Sequence, residues 1–126
     1  MNNITRILST GRMSQAVIHH DRVYLAGQVA DDTNADITGQ THQVLDKVEG
    51  LLAEAGSDKT KMLSAMIWLP DISTYDEFNA VWDSWLPVGH APARACVESR
   101  LAGVQYLLEI SIVAARGSNP ERPLLR

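Results

Sequence analysis

A single cysteine in 126 residues rules out a disulfide within the chain and suits a reducing compartment. No apolar run approaches membrane-spanning length, and the stretch "MNNITRILSTGRMSQ" has no apolar core as long as a signal peptide needs. The expectation is a cytoplasmic protein with no membrane partner. Positive charge is also scarce. Eleven Lys and Arg against fifteen Asp and Glu leave a net charge of −4, and no Lys/Arg-rich run stands out. Such a chain has no overall basic field to recruit nucleic acid or anionic lipid. The histidines, His19-His20, His42 and His90, fit no recognised zinc spacing. The glycines of "TGRMSQ" and "AGQVAD" form no phosphate-binding fingerprint, and there is no short repeat or low-complexity tract. Neither a metal site nor a nucleotide-binding site is expected from these patterns.

The remaining composition is that of an ordinary globular chain, with 45% hydrophobic and 21% charged residues, long enough for one sizeable core. The expected single domain covers residues 1–116. The final "GSNPERPLLR", 117–126, lacks periodicity and reads as a mobile tail.

Along the chain, "QAVIHHDRVYLAGQV" reads as two strands around a turn near His20-Asp21, the second covering 23–29. A helix over about 39–55 carries Val44, Leu45, Val48, Leu51, Leu52 and Ala55 at helical spacing, with Gly56 as its C-terminal glycine. "MLSAMIWLP" is an apolar strand stopped by Pro70. A second helix over about 74–86 puts Tyr75, Phe78, Trp82 and Trp85 on one stripe, of which Trp82 and Trp85 are read as core. Strands "ARACVES" and "LLEISIVAA" follow, and 4–9 offers an extra strand.

This order predicts a mixed sheet with both helices on one face. Alternation puts Leu63, Ala65, Ile67 and Leu69 on one side of the central strand, and Met62, Met66 and Trp68 on the other. Two helices cover only one face. The second apolar face therefore needs a cover, and self-association is the simplest one.

Arg94, Cys96 and Glu98 share one side of the strand in "APARACVES". An arginine in a strand ordinarily lies on a solvated face or pairs with an acid. The functional alternative is a planar fork gripping a small carboxylate. Glu109, flanked by aliphatic residues in "YLLEISIVAA" on the next strand, is either a structural ion-pair partner or a proton carrier. Burial would raise its pKa, and a nearby arginine would lower it. Cys96 reads first as a small buried hydrophobe, and Glu98 as a solvated or interface partner.

Together, "PARACVESRLAGVQYLLEI" resembles the signature of the RidA/YjgF family of reactive-intermediate deaminases. "YLAGQV" is similar to the family's strand ending in Gly-Gln, and "DEFNAVWDSW", with Asn79, to its second helix. The resemblance covers about residues 13–115. It implies an α+β, chorismate-mutase-like fold assembled as a homotrimer, with ligand sites in the clefts between subunits. The implied activity is hydrolysis of enamine/imine intermediates such as 2-aminoacrylate to 2-keto acids and ammonia, as in a 2-iminobutanoate/2-iminopropanoate deaminase, without a cofactor.

Carried over by residue, Arg94 would hold the substrate carboxylate, and the backbone of Cys96 would contact the amine or imine end. Glu109 would orient or deprotonate water, and the Gly27 backbone would line the pocket. Met13 stands where the best-known members have a pocket tyrosine. Ala26, Val29-Ala30 and Ala102 are further departures. The missing hydroxyl favours an alternative, a non-catalytic small-carboxylate binding module in the same clefts. Nucleic-acid cleavage, proposed for relatives, runs against the acidic balance.

Overall fold

A computed structural model describes residues 3–116. The tail expected over 117–126 lies outside the described residues. The elements are β1 (Ile4–Ile7), β2 (Ala16–His19), β3 (Arg22–Leu25), α1 (Ile37–Glu54), β4 (Met62–Leu69), α2 (Tyr75–Trp85), β5 (Ala93–Glu98) and β6 (Glu109–Ala115).

Asp36 starts α1, its side chain accepting a hydrogen bond from the Gly39 amide at 2.9 Å. Gly56 ends the helix at φ +82°, a conformation that costs glycine little. Its amide donates to the Ala53 carbonyl, and that of Ser57 to the Leu52 carbonyl. The turn after β4 is held by Asp71, whose side chain accepts from the Ser73 amide.

The six strands lie in the order β1-β2-β3-β6-β4-β5. Pairing is antiparallel except between β4 and β5. The connections β3–α1–β4 and β4–α2–β5 both step the same way across the sheet. Two right-handed crossovers in one direction put their helices on the same face. Between α1, α2 and that face lies one core, including Val23, Leu45, Leu52, Ile67, Leu69, Phe78, Ile110 and Ile112. The helices are tied at the surface by Trp85 Nε1, which donates to Glu49 Oε1 at 2.6 Å. The mixed sheet with helices on one face is as the residue pattern predicts. Among the described residues, no helix is long and apolar enough to cross a membrane.

Three local expectations are corrected. The strand predicted over 23–29 stops at Leu25 and resumes only as an isolated bridge between Gln28 and Ile110. Within β4, Leu63 is 45% exposed, whereas Met62 is buried with Ala65, Ile67 and Leu69. A register shift between Met62 and Ser64 inserts one unpaired residue, which inverts the alternation at that end. Finally, β6 follows β5 in the chain but does not adjoin it, because β4 lies between them.

Candidate functional site

Register decides which way each candidate faces. Arg94 pairs with Ala65, Cys96 with Ile67 and Glu98 with Leu69, all positions on the helix-covered face. Arg94, Cys96 and Glu98 therefore point beneath α2, sharing a side as their alternation predicts. Glu109 pairs with Trp68, on the opposite, uncovered face.

Arg94 is half-buried at the sheet edge under α2. Its Nη1 donates to Asn79 Oδ1 at 2.8 Å, and its Nη2 to the Tyr75 hydroxyl at 3.1 Å. The guanidinium carbon lies 5.4 Å from the Trp82 ring centre and 5.8 Å from those of Phe78 and Tyr75. These rings attract the cation through their π faces without neutralising it. Among the described residues, Arg94 forms no ion pair. Both of its hydrogen-bond partners are neutral and sit one helical turn apart on α2. Of five N–H groups, three stay available in a fork of fixed orientation, which is suited to an anion.

Cys96 is half-buried beside the core. Burial raises its thiol pKa and the Arg94 charge opposes that only in part, so the thiolate is disfavoured. Glu98 Oε2 accepts from the Ile72 amide at 3.0 Å, which fixes the turn leading into α2.

On the other face, Glu109 is half-buried, and burial raises its pKa above the ordinary value. Its carboxylate has no hydrogen-bond partner among the described residues, so nothing offsets the lost hydration. The carboxylate lies against Gly27, where a Cβ would overlap Glu109 Oε2. A side chain at this position would push the Glu109 carboxylate away, so the close approach depends on glycine having no Cβ. Gly27 is held in place by its neighbour Gln28, whose amide donates to the Ile110 carbonyl at 2.8 Å and whose carbonyl accepts from the Ile110 amide at 3.2 Å. The buried Gln28 side chain donates to Gln15 Oε1 and to the Ala26 carbonyl.

Met13, in the β1–β2 loop, is 42% exposed. The end of that loop is tied beside Gly27 by the Ala26 amide, which donates to the Gln15 carbonyl at 2.9 Å. Gly27 and Glu109 thus come together, with the loop of Met13 tethered beside them. Arg94 and Glu109 do not come together within one chain. They are two strand spacings apart, about 10 Å, roughly 10 Å apart along the strands, and on opposite faces.

The uncovered face carries a shallow groove of about 400 Å³ over β4, β5 and β6, lined by Ser64, Met66, Ala93, Ala95, Ser111 and Val113, with Ala65 and Arg94 also bordering it. Among the described residues, no three His, Cys, Asp or Glu side chains gather in a metal-holding group.

Two residues with clear roles escaped the sequence reading. Tyr75, placed on the aromatic stripe of the second helix, is 39% exposed and bonds Arg94. Gln40 is fully buried on the apolar stripe of α1. Its Nε2 donates to the Thr33, Ala35 and Gln105 carbonyls, and its Oε1 accepts from the Leu107 amide. A lone amide between Ile37 and Val44 on a buried stripe was the available signal, since such a group must find partners.

The family model described as endoribonuclease L-PSP matches residues 3–116. A RutC family protein of Haemophilus ducreyi is 41% identical over 112 residues, covering 89% of this chain and 96% of its own. The RutC family protein YoaB of Escherichia coli is 38% identical over 112 residues, covering 89% and 97%. A solved member of the YjgF protein family from Neisseria meningitidis superposes with a TM-score of 0.90 at 40% identity, covering 92% of this chain and 97% of its own.

Proposed function

The chain belongs to the RidA/YjgF family, and from that premise we propose that it hydrolyses small 2-imino acids and their enamine tautomers, of the 2-aminoacrylate kind, to 2-keto acids and ammonia. The observation that carries this reading is Arg94, a half-buried guanidinium held by two neutral partners and without a counter-charge among the described residues. Such a cation gains most from a small anion that brings two parallel acceptors.

In this reading the substrate carboxylate binds the free N–H groups of Arg94, and the Cys96 backbone contacts the nitrogen end. Protonation of an enamine at its terminal carbon gives an iminium whose C2 is already electrophilic. Water adds to C2 while Glu109 takes its proton. The carbinolamine then collapses: Glu109 returns its proton to the nitrogen, the C–N bond breaks and ammonia leaves. The hydroxyl releases its proton to solvent as the keto group forms, replacing the solvent proton that was added to the enamine carbon. A carboxylate whose pKa is raised by burial performs both transfers more readily near neutral pH than an ordinary glutamate. Holding substrate and water together supplies the rest of the acceleration.

Because Arg94 and Glu109 face opposite sides of one sheet, the reaction requires two copies. We place the Arg94 half of one copy against the Glu109–Gly27 half of another, in a homotrimer that also covers the grooved face. Met13, whose loop is tied beside Gly27, would line the second half.

The test generates imino acids in situ with an amino-acid oxidase and follows ammonia release. Acceleration by the protein, lost in Arg94→Ala, is expected. No acceleration with any imino acid, or full activity in Arg94→Ala, overturns the reading. A non-catalytic carboxylate-binding module is the second reading, favoured by the thioether of Met13, which offers no hydroxyl. Saturable binding of pyruvate without turnover would select it. RNA cleavage, which the family description names, is less favoured, because a net charge of −4 gives no general attraction for phosphates.

A further inference from the structure

We propose that Tyr75 forms part of the carboxylate subsite, accepting a hydrogen bond from Arg94 and donating its own proton to the anion bound there. The proposal rests on the reading of Arg94 as the carboxylate anchor.

The Tyr75 oxygen lies 3.1 Å from Arg94 Nη2, and in that contact it acts as the acceptor, since a guanidinium only donates. The phenolic proton is then left for another group. It has no acceptor among the described residues, and the side chain is 39% exposed at the mouth of the site. An anion on the remaining N–H groups of Arg94 would sit beside this hydroxyl, within reach of a third donor.

Asn79 contributes differently. Its Oδ1 occupies Nη1 at 2.8 Å, on the other arm of the fork. One neutral acceptor from α2 thus engages each terminal nitrogen, at positions four residues apart on the same helix face. The two bonds hold the guanidinium plane without spending its charge. The Tyr75 ring adds a cation–π contact at 5.8 Å, which orders the ring and with it the hydroxyl. Chemically, the arrangement selects a planar anion with two or more acceptor oxygens at its end, and it acts away from the reacting carbon. Tyr75 therefore contributes binding that is equal in ground and transition states, which appears in KM rather than in kcat.

Tyr75→Phe keeps the ring and removes only the hydroxyl. Two measurements are made on the full-length protein: the Kd for pyruvate, a stable 2-keto acid, and the kinetics of ammonia release from imino acids. The Kd and KM should each rise about tenfold, the worth of one charge-assisted hydrogen bond, with kcat within about twofold of the parent. Tyr75→Ala should weaken pyruvate binding further by releasing the ring. Pyruvate affinity unchanged in Tyr75→Phe overturns the proposal, as does a lower kcat at unchanged KM and Kd. Pyruvate binding tests Tyr75 whether or not imino acids are hydrolysed, so lack of turnover alone counts only against the deaminase reading. A parent protein that does not bind pyruvate overturns the Tyr75 proposal as well.

Discussion

Glu109 and Arg94 carry opposite kinds of imbalance. The arginine keeps a charge with no counter-ion among the described residues, and the carboxylate loses hydration without gaining a donor. For Glu109 the consequence is a sign that pH can read. Its folded-state pKa is raised above the ordinary 4.5, so the folded chain binds this proton more tightly than the unfolded chain does. Its contribution to stability is full below about 4.5 and is lost as pH rises through the raised value. Urea titrations should show that decline in the parent and its absence in Glu109→Gln. The acid limb of kcat/KM should likewise inflect above 4.5, and an inflection at or below that value would contradict the assignment of Glu109 as base. Gly27→Ala tests the same contact sterically. A Cβ there overlaps Glu109 Oε2, so the carboxylate must move, and a shift of about 1 Å is expected to lower kcat about 100-fold. Activity retained in Gly27→Ala would mean that the carboxylate position is not critical.

At the scale of elements, the site depends on how loops are fastened to helices. Gln40 joins the start of α1 to residues 33–35 and 105–107, and so holds the segment that delivers Glu109 to β6. Gln40→Leu would leave three carbonyls and one amide without their partner. It should lower unfolding free energy by about 3 kcal/mol, measured in urea, and reduce turnover with it. A loss below about 1 kcal/mol would show that water satisfies those groups.

The same scale explains what the sequence could disclose. Helix positions, the Gly56 cap and the shared side of Arg94, Cys96 and Glu98 follow from local spacing, which a single chain segment carries. The inverted alternation at Met62 and Leu63 does not, because a bulge is defined only against the partner strand. Nor does the choice of face for Arg94, which depends on pairing with Ala65 across the α2 crossover. Arg94 and Glu109 lie on strands that follow one another in the chain. The insertion of β6 between β3 and β4 sets the two residues apart. Tyr75 was hidden by its own stripe, since an aromatic at helical spacing reads as core until its exposure is known.

For the whole molecule, Arg94 and Glu109 lie on opposite faces of one sheet, and the proposed reaction joins them only between copies. The proposed assembly of identical chains would cover the grooved face and bring Arg94 of one copy to Glu109 of another. A homotrimer predicts a sedimentation mass near three times the 13.8 kDa chain. The most direct measurement mixes two disabled variants, Arg94→Ala and Glu109→Gln, and refolds them together in equal amounts. Each alone should release little ammonia. In random mixed trimers, about a quarter of the clefts pair an intact Arg94 from one copy with an intact Glu109 from another, so about a quarter of the parent activity should return. If the mixture is no more active than the separate variants, the two residues do not serve one site between subunits.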